Sequence, residues 1–300
     1  MGKYKIFILI LIIAITGGGT GVFFKIALRE IPPDLLTLLR FVFAFIVLLP
    51  FFLKENNLIV PNRTRLILIS LFATINVIFF LIGLQYTTAS IASMLYAAVP
   101  FVAGIFAWKI IREEIGFYKW LGIVIGFIGT LVIVIGPKLG TASAASGSLL
   151  GNLILLFSIC AFSLYSVLSK KYENVYSPII LTKYFILTTI IVQFIFMLLH
   201  LGESFNLLQS ISLTAWLSVL YTGVLGTALF YLLYQYIVKR ASPVLASMVF
   251  YLQPISAVIW AYLVINEKIT SIFVLGSLLI FLGLALVFNE KYFNRSKVNT

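Results

Sequence analysis

Ten stretches of apolar residues run through the chain, at roughly 6–28, 34–53, 66–86, 91–111, 118–136, 148–168, 178–199, 213–236, 243–264 and 270–289, with short connections between them. Each is near the ~20 residues that an α-helix needs to cross a hydrocarbon layer at about 1.5 Å per residue. Such a chain has no polar surface with which to face water. A soluble domain carries about a quarter of its residues charged, whereas here 10% are charged and 62% are hydrophobic. The expectation is an all-α integral membrane protein of ten transmembrane helices, because backbone groups inside lipid must be satisfied within their own segment. The first run follows Lys3 and Lys5 as a signal peptide would, but it is long, carries Lys25 and lacks a clear small-residue cleavage site, so it reads as a retained helix.

The ten runs divide into two similar sets. Ala92, Ser93 and Met94 recur as Ala246, Ser247 and Met248, a spacing of 154 residues. At that spacing Pro100 falls on Pro254, Glu113 on Glu267, Gly122 on Gly276 and Gly129 on Gly283, without a gap. Earlier in each set Lys25, Pro33 and Thr37 fall on Lys170, Pro178 and Thr182, a spacing of 145. Composition alone would align scattered Ile and Leu, not a proline, a glutamate and two glycines. Two five-helix units follow, 6–136 and 148–289, with a small-residue linker at 137–147 and a tail at 290–300.

Five is odd, so if one unit starts on one side of the membrane the next starts on the other. The two units are then inverted repeats, an arrangement found in many secondary transporters. The cations agree. Lys109, Arg112 and Lys119 in one unit become Leu263, Asn266 and Phe273 in the other, while Gln85 and Tyr86 become Lys239 and Arg240. With both termini cytoplasmic, 15 of the 21 Lys and Arg fall on the cytoplasmic side, as the positive-inside rule requires. The net charge of +12 therefore reads as an orientation signal in a bacterial inner or plasma membrane, and nucleic acid is not an expected partner.

A proline in the fourth helix of each unit, a glutamate at its end and a glycine-spaced fifth helix (Pro100, Glu113, Gly122, Gly129; Pro254, Glu267, Gly276, Gly283), with Phe23-Phe24-Lys25 in the first helix and Leu38-Leu39-Arg40-Phe41 in the second, make the chain resemble the EamA branch of the drug/metabolite transporter superfamily. The resemblance covers nearly the whole chain. It implies a basket fold with a central cavity lined mainly by helices 1, 3, 4, 6, 8 and 9, helix 2 being peripheral, and export of amino acids or other metabolites by alternating access.

Charge at mid-depth is costly and marks function when present. All nine acids fall in loops or at helix ends, and His200, the single histidine, lies at a helix end. A membrane hydrolase or metalloprotease needs a general base or metal ligands beside its substrate; with none in the spans, the chain reads as neither an enzyme nor a metal or cofactor protein. The single cysteine, Cys160, makes no intrachain disulfide. Glu113 and Glu267 each precede a helix, where a carboxylate favours the unpaired amides. Arg40 is the deepest cation. It either ties to local carbonyls or an acid such as Asp34, or draws a carboxylate-bearing substrate; Lys25 and Lys183 are shallower.

Candidates for the cavity wall are the polar and aromatic residues at mid-depth: Thr16, Thr20, Asn76, Phe80, Tyr96, Ser158, Tyr165, Thr222, Tyr231, Tyr251 and Gln253. Asn76 and Gln253 constrain most, since an unsatisfied amide facing lipid costs several kcal/mol. Pro100 and Pro254 remove a helical hydrogen bond and can bend a moving helix. Gly17-Gly18-Gly19-Thr20-Gly21 lacks the lysine and the preceding strand of a phosphate loop; Gly17 and Gly18 rather permit close helix contact or local unwinding. The Gly122–Gly126–Gly129 ridge fits either a neighbouring helix or a second protomer, so a homodimer stays open. The expected function is outward carriage of a small-molecule substrate, amino acids or related metabolites. The alternative is a passive channel or facilitator, which a continuous polar stripe would favour; the polar residues here are sparse and interrupted.

Overall fold

The computed structural model describes residues 3–55, 60–86, 92, 95–135, 148–199, 211–265 and 271–296, all helices and short turns. The proposed linker at 137–147, His200, Glu267 and Lys268 lie outside the described residues, as does the Lys25 side chain. The helices are α1 (Lys3–Ala27), α2 (Pro33–Lys54), α3 (Arg63–Gln85), α4 (Val99–Ile111), α5 (Phe117–Ile135), α6 (Leu149–Lys171) and α7 (Pro178–Leu199). Then come α8 (Leu213–Gly223), a π-helical stretch (Val224–Leu229), α9 (Phe230–Arg240), α10 (Pro243–Ser247), α11 (Val249–Ile265) and α12 (Ser271–Ser296).

Polar residues at the connections start these helices. Asn62, at φ 47°, accepts from the Arg65 amide at 3.1 Å and opens α3. Ser148, Ser212 and Ser242 cap α6, α8 and α10 in the same way, filling one of the donors a helix start leaves open. Pro33 stands at the start of α2, where its missing N–H costs nothing.

Six helices among the described residues are long and apolar enough to cross a membrane: α1, α2, α3, α6, α7 and the continuous rod from Leu213 to Arg240. Four further apolar segments are Val99–Ile111, Phe117–Val132, Pro243–Ala257 and Val274–Phe288, the second and fourth lying in helices that run to Ile135 and Ser296. Two of the ten apolar runs are interrupted. The fourth run turns at Ala97 and Ala98, directly before Pro100, and the ninth breaks at Met248 between α10 and α11. The repeat-related prolines are not used alike. Pro100 sits in the first turn of α4, where it is tolerated, and Pro254 lies inside α11.

The glycine ridge packs within the molecule. A Cβ on Gly122 would stand 2.5 Å from the Gly283 carbonyl, and one on Gly129 would stand 2.7 Å from the Gly276 carbonyl. As numbers rise along α5 they fall along α12, so the two helices run antiparallel at close range. Gly83 of α3 and Gly151 of α6 allow a similar approach, with Cβ positions 2.8 Å from Leu155 and Tyr86. Small residues permit backbone contact where lipid offers no hydrophobic drive to association. Elsewhere α1 packs on α8 and α11, α6 on α3 and α4, and α2 on α7.

Side chains clasp connections at both ends of the bundle. Glu30, after α1, accepts from the Ser212 amide and hydroxyl, both at 2.7 Å. Ser148 bonds the Tyr86 carbonyl. At the other end Ser177 donates to Glu55 at 2.6 Å, Tyr176 donates to the Pro61 and Asn62 carbonyls, and Lys170 reaches the Lys239 carbonyl at 3.0 Å.

Candidate functional site: a cavity between the helices

A cavity of about 510 Å³ opens among α1, α2, α3, Ala92 and Tyr96, α6, the π-helical stretch, α9 and α11. Its wall runs from Gly17 at the middle of α1 to Leu28 just past its end, and from Asn76 to Leu84 in the last turn of α3. It therefore extends from mid-depth toward one end of the bundle. The opposite half is filled. Phe162 meets Phe250 at 5.3 Å and Tyr234 at 5.2 Å, Phe185 meets Tyr231 at 4.6 Å, and Phe230 stacks on Tyr234 at 6.0 Å. Deeper still, Tyr234 bonds Ser166 at 3.0 Å and Gln235 donates to Ser169 at 3.3 Å.

Of the residues expected to form the wall, Thr20, Arg40, Asn76, Phe80, Tyr96, Tyr231 and Gln253 line the cavity, with Gly17, Gly18 and Pro254. Asn76 is held in a network. Its Nδ2 donates toward the Tyr96 hydroxyl at 2.7 Å and toward the Ser158 hydroxyl and carbonyl at 2.9 and 3.0 Å, and Ser158 Oγ returns a bond to the Asn76 carbonyl. Three helical segments are tied at one point, and the Tyr96 ring is steered against Phe80 and Phe250. Gln253 sets its amide beside Gly17, where a Cβ would lie 2.8 Å from Nε2.

Gly17 and Gly18 lie in an unbroken helix. Their role here is proximity: a Cβ on Gly18 would meet the Ala257 amide at 2.9 Å. Ser256 and Trp260 of α11 donate to the Ile15 carbonyl, and Tyr221 of α8 donates to the Thr16 carbonyl. The middle of α1 is thus fastened to both of its neighbours.

Several expected residues stand elsewhere. Tyr251 is fully buried and donates to the Ile123 carbonyl of α5 at 2.7 Å. On α11 the cavity face is Phe250, Gln253, Pro254 and Ala257, and Tyr251 lies one residue, about 100°, off that face. Tyr165 packs below the cavity against Phe185 and Phe162, its hydroxyl buried without a hydrogen-bond partner. Pro100 is buried in the first turn of α4 and is not among the lining residues. Thr222 is likewise buried and bonds the Val219 carbonyl.

The wall also holds Phe24, Phe162, Gly226, Phe230 and Phe250, which composition could not distinguish from packing residues. Gly226 belongs to the π-helical stretch, where Thr227 bonds the Thr222 carbonyl and a Cβ on Gly226 would sit 2.6 Å from Thr20 Oγ1. Such stretches often mark functional sites. Arg40 departs from the expectation of a peripheral second helix. Its guanidinium reaches the wall and lies 4.9 Å from the Phe24 ring centre and 5.0 Å from that of Phe41.

Helices of membrane-crossing length around a pocket walled by aromatic rings and a few fixed polar groups define a multi-pass membrane protein. The sequence model of the EamA-like transporter family matches residues 4–135 and 149–289, and the chain belongs to that family. A Bacillus subtilis (strain 168) protein named "Uncharacterized transporter YoaV" is 26% identical over 98% of this chain and 99% of its own length. An Archaeoglobus fulgidus "Uncharacterized transporter" is 26% identical over 94% of this chain and 96% of its own. The B. subtilis "Uncharacterized transporter YdfC" is 30% identical over 65% of this chain, and the match spans 61% of that protein. One crystal structure superposes with a TM-score of 0.78 at 18% identity, covering 95% of this chain and 96% of the other, and so shares the fold.

Proposed function

We propose that this membrane transporter is a secondary carrier for small metabolites, amino acids or related compounds, moved outward by alternating access. The cavity carries the reading: 510 Å³ lies within the range of pockets that enclose small organic ligands, and helices from both halves of the chain wall it. The aromatic packing that fills one half of the bundle argues against a continuous passive channel.

Helix contacts support an inverted repeat. Gly122 meets Gly283 and Gly129 meets Gly276, yet the sequence match pairs 122 with 276 and 129 with 283. Crossed contacts of this kind are what a two-fold relation between like units produces. In the same sense, α1 on α8 and α11 mirrors α6 on α3 and α4. The clasps support the alternation of sides, since Glu30–Ser212 and Tyr86–Ser148 join ends assigned to the outside, and Glu55–Ser177 and Lys170–Lys239 join ends assigned to the cytoplasm. With both termini in the cytoplasm of a bacterial inner membrane, the cavity faces outward and the aromatic layer closes the inner side.

The test is counterflow in proteoliposomes. Vesicles preloaded with a mixture of unlabelled amino acids should accumulate a labelled one transiently above protein-free vesicles, and Gln253→Ala should reduce the rate with the fold intact. Equal flux with and without protein across the amino acids and their esters would remove the proposed substrate class.

A further inference from the structure

We propose that Arg40 is the anchor for a substrate carboxylate, and that the cavity takes organic monoanions with an apolar body in preference to zwitterions or amines. The inference rests on the carrier reading for its place in transport, but not for its binding chemistry.

Among the described residues Arg40 is the one charged residue in the cavity wall, and no Asp or Glu appears there. A guanidinium cannot shed its proton in a protein, so its charge at this depth must be answered by something. No acid in the described structure does so: the two ion pairs among the described residues are Lys119–Glu113 and Lys170–Glu173. Asp34, on the same helix, is not paired with Arg40. The Nε of Arg40 is buried and has no hydrogen-bond partner. What the protein sets around it is the rings of Phe24 and Phe41, which favour a cation but accept no conventional hydrogen bond, and the neutral phenol of Tyr231 in the same wall, which carries no charge to answer the guanidinium. A carboxylate is the ligand that completes the set, because two parallel N–H donors of a guanidinium match its two oxygens.

The rest of the wall sets the body and the charge. Phe24, Phe80, Phe230 and Phe250 line it as apolar surface. A ligand ammonium would find only neutral oxygens, and the Asn76, Tyr96 and Ser158 groups already spend their hydrogen bonds on one another. Summed over the described residues, the charge in the cavity is that of one cation, which attracts anions, tolerates a zwitterion and repels an amine.

The decisive experiment compares ligands of one shape on the unmodified, full-length purified protein. Titrations of phenylacetate, phenylacetamide, phenylalanine and phenethylamine are read as shifts in thermal transition. Phenylacetate should bind at least tenfold more tightly than phenylacetamide, phenylalanine should fall between them, and phenethylamine should give no shift. Arg40→Gln should erase the preference for the acid over the amide, and Arg40→Lys should retain part of it. Equal binding of acid and amide, no binding by any of the four, or an acid preference that survives Arg40→Gln would overturn the assignment. The acid–amide comparison stands even where a substitution unfolds the protein. Flux in proteoliposomes separates the two ideas: transport of phenylalanine without acid preference removes the anchor and keeps the carrier. Acid preference without transport of any of these solutes keeps the anchor and removes the carrier reading.

Discussion

At the scale of single residues, the side chain of Asn76 does two jobs that a sequence cannot separate. It lines the cavity and it ties α3 to α6 and to the Tyr96 segment. Asn76→Ala leaves the Tyr96 and Ser158 hydroxyls with fewer partners in a buried site, and should cost about 1–3 kcal/mol of stability, read as a lower denaturation midpoint. Tyr165→Phe should do the reverse or nothing, because its hydroxyl is buried and unpartnered; a clear loss of thermal stability would show that the hydroxyl is satisfied. The amides were legible beforehand, since an amide within an apolar run must find a partner or a cavity. So were Phe80, Tyr96 and Tyr231 as mid-depth aromatics, but the rest of the aromatic wall was not. Phe24, Phe230 and Phe250 look like any other phenylalanines until α1, α9 and α11 are in place, and Tyr251 differs from its neighbour Phe250 only by one step of helical rotation.

Helix by helix, the connections are where the polar chemistry sits. Ser212 caps α8 while its own amide and hydroxyl donate to Glu30. Ser212→Ala should cost about 1 kcal/mol and loosen the start of α8, measurable as faster amide exchange over residues 213–216. Those two bonds hold the Glu30 carboxyl below its usual pKa. The stabilisation is present above the unfolded pKa of a glutamate and fades as pH falls through the lowered folded value. The stability difference between the parent and Glu30→Gln should therefore be largest near neutral pH and shrink in acid; a difference that grows on acidification would contradict the bond pattern. On α5, Gly122→Leu should separate it from α12, since even a Cβ would press on the Gly283 carbonyl at 2.5 Å, and overpacking of this kind costs about 1–3 kcal/mol. The glycine spacing could be read in the sequence, but the partner could not, because a ridge of small residues fits any helix of complementary shape.

For the molecule as a whole, orientation is the quantity to test. In a Cys160→Ala background, Leu84→Cys at the cavity rim should react with a membrane-impermeant maleimide added outside intact cells, and Lys171→Cys only after permeabilisation; the opposite pattern would invert the proposed topology. Pattern and composition alone determined that the chain lives in lipid and that it forms apolar helices, and they carry the proposal of two like units, because hydropathy and the spacing of prolines, glycines and cations are properties of the chain itself. The interruptions in the fourth and ninth runs, the π-helical stretch in the eighth, the intramolecular use of the glycine ridge and the reach of Arg40 into the wall came only with the tertiary structure. Each depends on which face of one helix meets another, and an apolar helix in an apolar solvent carries little one-dimensional record of which face that is.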